Sequence, residues 1–223
     1  GMGAFTFTPK SGKKYSVQAL NKQGVRKIFE LPQVQESAYG IVVQSRKKDI
    51  QISINSALHS PHEELLLLAH VRGKMICAQW LLSDKGDIIT IAKDQYPSGI
   101  VQCLLLDKNY NVLSERLGFI PYRKAIMCKV RNDKDSYGKR ELIHTNLSLV
   151  DVNGNPVKGN LSVSITDGAM CVADTTHSIL STLLLSSELK GRIETPSFYL
   201  QTDNPEAEKA LDLLLMIHGW KRY

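Results

Sequence analysis

Through most of this chain, apolar and polar residues alternate in short runs, and turn-forming clusters cut the runs. A two-residue period sends successive side chains to opposite faces, so each run predicts a half-buried strand. Phe5/Phe7, Tyr15/Val17/Ala19 and Ile50/Ile52/Ile54 show it most cleanly. Leu65–Ala69, Met75–Leu82, Ile88–Ala92 and Ile100–Leu106 read as further strands, several of them apolar enough to be buried on both faces. Asn21-Lys-Gln-Gly24, Val71-Arg-Gly73, Ser83-Asp-Lys-Gly86 and Tyr96-Pro-Ser-Gly99 supply turns, and Asp107-Lys-Asn-Tyr-Asn111 reads as a hairpin loop. Strands recurring about every 8–14 residues between such turns are the pattern of a β-sandwich.

Pro121 follows an apolar strand end and cannot continue a ladder, so a domain boundary is expected there. A second strand series starts at Ile126–Val130. It runs through Leu142–Val150, the turn Asp151-Val-Asn153-Gly154-Asn-Pro156, and the alternation Leu161/Val163/Ile165. After Asp167-Gly168 the period becomes helical. Residues 176–190 put Ile179, Leu180, Leu183 and Leu184 on one stripe, with Gly191 at the stop position. A second helix starts from Asn204 as N-cap and Pro205 at its first turn, with Glu206 and Glu208 near its positive end. Its expected apolar face is Ala207, Ala210, Leu211 and Leu214, closed by Gly219. The expected fold is therefore mainly β: tandem immunoglobulin-like sandwiches over 1–121 and 122–223, with a helical appendage at about 176–219 on the second.

The chemistry of sites is sparse. His59-Ser-Pro61-His62-Glu63-Glu64 gathers two imidazoles and two carboxylates. A zinc helix needs its histidines at i and i+4, whereas here they stand at i and i+3 around a proline, so a polar loop is expected. Gly-x-Ser-x-Gly and the Gly-rich phosphate loops are absent from the sequence. His70, His144, His177 and His218 are scattered, and Asp84, Asp87, Asp94, Asp133 and Asp135 sit in turn-like segments, where Asp bonds its own backbone. No catalytic, cofactor-binding or metal-ligating residue is assigned, and no cofactor is expected. The four cysteines, Cys77, Cys103, Cys128 and Cys171, lie in apolar contexts and read as small hydrophobes; a Cys77–Cys103 disulfide is left open.

The net charge is +6, but the lysines are dispersed and the runs at Lys10–Lys14 and Arg46–Lys48 lack interleaved aromatics. Solvated loops are expected, not a nucleic-acid footprint. No apolar run approaches the ~20 residues of a membrane helix. Glu115-Arg116 interrupts an apolar strand, so one of the two must turn inward and find a partner, across the sandwich or at the domain junction. Trp80 and Trp220 read as packing residues, while Tyr96, Tyr110, Tyr122 and Tyr199 lie near turns and are candidates for exposure. The leading Gly1 before Met2 reads as a fusion scar, and Tyr223 follows shortly after a helix cap, so both termini read as cut.

Tyr137-Gly-Lys-Arg140-Glu141-Leu-Ile143, Asp151-Val-Asn-Gly154-Asn-Pro156-Val157 and Leu161-Ser-Val163-Ser-Ile165-Thr-Asp167 resemble the macroglobulin (MG2-like) domain of α2-macroglobulin-like proteins. Over a wider span the chain is similar to large exported bacterial proteins, some with a TonB-dependent receptor plug-like domain. Gly3-Ala-Phe5-Thr-Phe7-Thr-Pro9, Pro97-Ser-Gly99-Ile100, Ser114-Glu115-Arg116-Leu117, Ser186-Ser-Glu188-Leu-Lys190-Gly191, Pro196-Ser-Phe-Tyr199, Leu211-Asp212-Leu-Leu214 and Gly219-Trp220-Lys-Arg222-Tyr223 carry that likeness. It implies a cell-envelope location (periplasm or outer-membrane associated) with a signal peptide outside this stretch. It also implies flanking domains as partners, and residues 1–32 as closing strands of a preceding domain. No cysteine has the thioester context of the true macroglobulins, so covalent trapping does not carry over. The expected function is a non-enzymatic structural or interaction module that spaces or docks neighbouring domains. The alternative is a glycan- or peptide-binding module in outer-membrane nutrient uptake, alongside transport components.

Overall fold

The structure is a computed structural model that describes residues 2–57, 61–84, 86–122, 126–172, 174–201 and 203–219. It is mainly β. The strands are β1 (Ser16–Leu20), β2 (Arg26–Glu30), β3 (Tyr39–Ser45), β4 (Asp49–Ser56), β5 (Glu64–Val71), β6 (Lys74–Leu82), β7 (Ile88–Ala92), β8 (Gly99–Leu106), β9 (Val112–Ile120), β10 (Ile126–Asn132) and β11 (Thr145–Asp151). Two short helices follow, α1 (Ile179–Ser181), which runs into a π-helical turn at Thr182–Ser186, and α2 (Pro205–Ile217). Among the described residues no helix is long and apolar enough to cross a membrane.

The chain divides into two compact units, one of residues 1–121 with 175–223 and one of residues 122–174. In the first, a three-stranded sheet, β3-β4-β7, and a four-stranded sheet, β6-β5-β8-β9, are antiparallel throughout. Their facing side chains form one core, with Ile50, Ile52, Leu65, Leu67, Val101 and Leu105 fully buried. Gly118 keeps this seam close, because a Cβ there would lie 3.2 Å from Val43. The opposite face of the four-stranded sheet is also apolar. Ile100, Leu117 and Phe119 pack against Leu184, Leu185, Leu189, Ile193, Leu211, Leu214 and Leu215 from the segment after residue 175. The helices expected to append to a second domain therefore belong to the first. The apolar outer face of β8 and β9 offers them a partner surface.

The first helix also differs from its expected form. A capping box ties Ser178 and Ser181 together, but after one α-turn the chain widens into the π-turn, closed by Ser187 N donating to Thr182 O at 2.9 Å. Inserting a residue into the turn rotates the following side chains. Leu184, Leu185 and Leu189 become the buried face, while Ile179, Leu180 and Leu183 of the expected stripe are exposed. The second helix matches its expected start. Asn204 Oδ1 accepts from Glu206 N at 3.0 Å and from Ala207 N at 3.4 Å, with Pro205 at the first helical turn. Its buried face is Ala207, Leu211, Leu214 and Leu215, and it ends at Ile217 with extended His218 as cap, not at Gly219.

One hairpin loop occurs three times. Asn21, Asp107 and Asp151 each accept, through one side-chain oxygen, the N–H groups two and four residues ahead, at 2.8–3.0 Å. The fourth residue is left-handed in every copy: Gly24 (φ 79°), Tyr110 (φ 63°) and Gly154 (φ 85°). This is the three-to-five-residue hairpin in which a turn is followed by an αL residue, stabilised by an Asx turn. Phe5 and Phe7, expected on a strand, instead form a small ring cluster with Tyr15 outside regular structure. The β1–β2 hairpin is largely solvent-exposed.

In the unit of residues 122–174, β10 and β11 make a two-stranded antiparallel sheet. The expected strand through Leu161/Val163/Ile165 is absent. The chain pairs with β11 only briefly, at Val150–Pro156, and then leaves with Val163 62% and Ile165 92% exposed. Alternation without a neighbouring ladder and a covering layer does not yield a strand.

The rotation at the π-turn makes a sharp prediction. Leu185→Ala, at a site of 0% exposure, is expected to cost about 2–5 kcal/mol of stability. Leu183→Ala, at 55% exposure, should stay within about 0.5 kcal/mol. Denaturant melts of the two variants read the difference, and equal losses would restore the simple helical stripe.

Candidate functional site

Charged groups of the first unit gather where the helical segment meets the sheets. Arg72 and Gly73 are the two central residues of the β5–β6 hairpin, and both have positive φ (49° and 75°), as a type I′ turn requires. That turn aims the Arg72 side chain at the helical segment. Its Nε donates to Glu188 Oε1 at 2.6 Å, and Nη2 donates to the Leu183 carbonyl. The π-turn makes this carbonyl available, because its i→i+5 bonding shifts the usual ladder. Gly99 lies under the guanidinium, where a Cβ would come within 3.3 Å of Nη2. Glu188 is 2% exposed, and its Oε2 has no hydrogen-bond partner among the described residues.

Arg116 is the inward member of the Glu115-Arg116 pair. It is 15% exposed and donates to Asp212 Oδ1 of α2 at 2.7 Å and to its neighbour's carbonyl, Leu117 O, at 2.8 Å. Its partner is thus in the helical segment of the same unit. Glu115 accepts from Gln102 Nε2 at 3.0 Å on the opposite face. Lys93, at the end of β7, is buried, with Nζ donating to Ser45 Oγ at 2.8 Å and to Arg46 O. Burial lowers its pKa, while the charges of Glu208 on α2 and Asp49 pull it back up. At the end of α2, His218 Nδ1 sits 2.7 Å from Lys190 O, and Lys190 N donates to Gly219 O at 2.8 Å. An open cleft of about 600 Å³ lies here, bordered by Arg116, Lys190, His218, Glu115 and Leu215.

A second feature lies on the outer face of the four-stranded sheet. Trp80, Leu66, Leu106 and Val112 stand in register across β6, β5, β8 and β9. Leu66 and Leu106 are buried, but Trp80 is 50% exposed, contrary to the expected packing role. Trp80 belongs to an edge strand, so it has a covering neighbour on one side only. Tyr110, 66% exposed and in the left-handed region, meets it edge-on with ring centroids 6.4 Å apart. Of the other expected tyrosines, Tyr96 packs on the main core and Tyr199 on the helical one, while Tyr122 is at the margin of exposure.

The remaining candidates are dispersed. His62 Nδ1 pairs with Asp84 Oδ1 at 3.0 Å, both exposed. His59, Arg123, Lys124 and the stretch from Trp220 lie outside the described residues. Among the described residues no three His, Cys, Asp or Glu side chains come together to hold a metal ion. Asp133 accepts from Tyr137 Oη at 2.5 Å and from His144 N at 3.2 Å, a loop-closing role. All four cysteines are free thiols. Cys77 and Cys103 flank Ala69 on the strands to either side of β5, two strand spacings or about 10 Å apart, too far for a disulfide. Burial raises both thiols, Cys103 to about 12.

Sequence reading missed Arg72, Glu188, Lys93 and Asp212. A usable signal existed for the first two. Arg occupies a turn position that favours Asn or Gly, and Glu188 is a lone carboxylate beside the apolar run Leu183–Leu185 and Leu189. The chain matches no protein-family model and no curated protein.

The loop carboxylates give a pH test. Asn111 hydrogen bonds hold the Asp107 carboxyl below its ordinary 3.8, and Asn155 does the same for Asp151. A depressed folded pKa means stability that is present above the unfolded value and lost as pH falls through the folded one. Carboxyl-carbon NMR titration should therefore place both midpoints below 3.8 and show the hairpin amides moving with them. Midpoints at or above that value would contradict the loop geometry.

Proposed function

We propose that this chain is a non-enzymatic structural and interaction module of a larger cell-envelope protein, and that it docks or spaces neighbouring domains. The observation that carries the reading is the apolar surface of residues 122–174, where Val130, Leu142, Val163, Ile165 and Val172 all lie largely in solvent. So many large apolar side chains left in water within one short stretch favour a surface that another protein covers. The ionisable groups that do converge, at Arg72–Glu188 and Arg116–Asp212, spend their hydrogen bonds on holding helices to the sheet. The envelope location rests on the resemblance to exported macroglobulin-like proteins.

Lettered A to G in chain order, β3 to β9 form sheets A-B-E and D-C-F-G. The immunoglobulin constant arrangement is A-B-E-D against C-F-G, so moving one edge strand between sheets converts one into the other. This supports an immunoglobulin-like sandwich for the first unit; a macroglobulin-type origin for residues 122–174 rests on the sequence resemblance alone.

Hydrogen exchange tests the docking role. Amides of residues 157–172 should exchange fast in this chain alone and slow by at least about tenfold within its full-length protein. Equal rates in both settings would sink the proposal.

One observation favours a second reading, a glycan- or peptide-binding module. Trp80 and Tyr110 lie beside the unpaired edge of β6. Left-handed backbone at a tyrosine costs roughly 1–2 kcal/mol, and such strain clusters at ligand sites. The edge-on rings suit an extended peptide added to β6 better than a flat sugar platform. Titration with peptide and glycan panels should then quench tryptophan emission in the native chain but not in Trp80→Ala, which keeps Trp220. Panels that leave the native signal unchanged would remove this reading.

A further inference from the structure

The first unit is made of two stretches of chain that are not contiguous, residues 1–121 and 175–223. Everything that joins them within that unit is non-covalent. The two ion pairs across the seam run the same way: Arg72 and Arg116 lie on the earlier stretch, Glu188 and Asp212 on the later one. Beneath them Leu184, Leu185, Leu189, Leu211 and Leu214 cover Ile100, Leu117 and Phe119.

We propose that residues 175–219 are a strap, locked onto the four-stranded sheet by Arg72–Glu188, which remains closed when the connecting stretch 122–174 is cut. The strap is then a conformational device: cleavage in the connector leaves the fold intact, and opening the lock uncovers the apolar face of β8 and β9.

Geometry makes Arg72–Glu188 the lock. Glu188 is buried, one of its oxygens accepts from Arg72, and the other has no partner among the described residues. Without Arg72 a bare carboxylate remains in the interior, the costly outcome for a buried pair. Arg72 in turn is held by a left-handed turn residue and passes over a glycine, so no other side chain of the hairpin substitutes for it. The Arg116–Asp212 pair differs, because Asp212 is half exposed and water can replace its partner. The connector suits cutting, since residues 157–166 carry no regular structure and are almost entirely solvent-exposed.

The test places a specific protease site within residues 160–166 of the full chain and cuts it after folding. The two pieces should co-elute in size exclusion at micromolar concentration and melt as one species. In the cut protein, Arg72→Asn, which tolerates the left-handed turn but removes the charge, should weaken strap binding by roughly 100-fold or more. Asp212→Asn should weaken it by less than about fivefold. Glu188→Gln, which leaves no bare carboxylate inside and a guanidinium that water still reaches, should weaken strap binding by less than Arg72→Asn does. Should Glu188→Gln not fold, Arg72→Asn, a change in a half-exposed hairpin, still decides. Separation of the native pieces on dilution to micromolar, or equal effects of Arg72→Asn and Asp212→Asn, would overturn the proposal.

Discussion

β8 is apolar on both faces, and the arrangement of the first unit depends on that. Val101, Cys103 and Leu105 point into the core shared by the two sheets, while Ile100 points the other way and is equally buried. A strand that is apolar on both faces needs two covering layers. The sheet β3-β4-β7 supplies one. The other has to come from elsewhere in the chain, and the helical segment after residue 175 provides it for the half of the face nearest Ile100, Leu117 and Phe119. Nearer the β8–β9 loop, Leu66 and Leu106 are buried while Trp80, Tyr110 and Val112 around them meet solvent.

Apolar packing holds the helical segment down, and charge fixes where it sits. Leucines pack against a sheet in many positions, whereas a buried carboxylate that accepts from a single guanidinium tolerates only one. Arg72 reaches Glu188 because three local features coincide: a left-handed turn, a glycine beneath the side chain, and a π-turn that presents the Leu183 carbonyl. Each is locally unfavourable or unusual. Together they give the guanidinium two acceptors on the segment it must hold.

Much of this fold was legible in the sequence where the cause is local. The loops at Asn21, Asp107 and Asp151 announce themselves, because an Asx side chain bonds backbone within its own turn. The cap at Asn204 and the apolar run of β8, broken only by Gln102, are legible for the same reason. What stayed hidden is whatever depends on a distant partner. Periodicity marks an apolar helix face without naming the surface it will cover, so Leu211 and Leu214 could not declare that they meet β9. Arg72 and Glu188 are 116 residues apart, and each alone reads as an ordinary surface charge. Trp80 lies in an apolar run, yet edge position, which only pairing order reveals, leaves it half in water.

The contrast between Ile50–Ile54 and Leu161–Ile165 carries the functional argument. Both are strict alternations of β-branched or leucine residues with polar ones. The first sits in β4, flanked by β3 and β7 and covered by a second sheet, so Ile50 and Ile52 are buried. The second has neither ladder nor layer among the described residues of 122–174, and the same pattern ends in solvent. Alternation states what a segment needs; the surroundings decide whether it is met. In the first unit the need is met internally, by a strap drawn from later in the chain. In residues 122–174 it is left open among the described residues, and the proposed docking role rests on that.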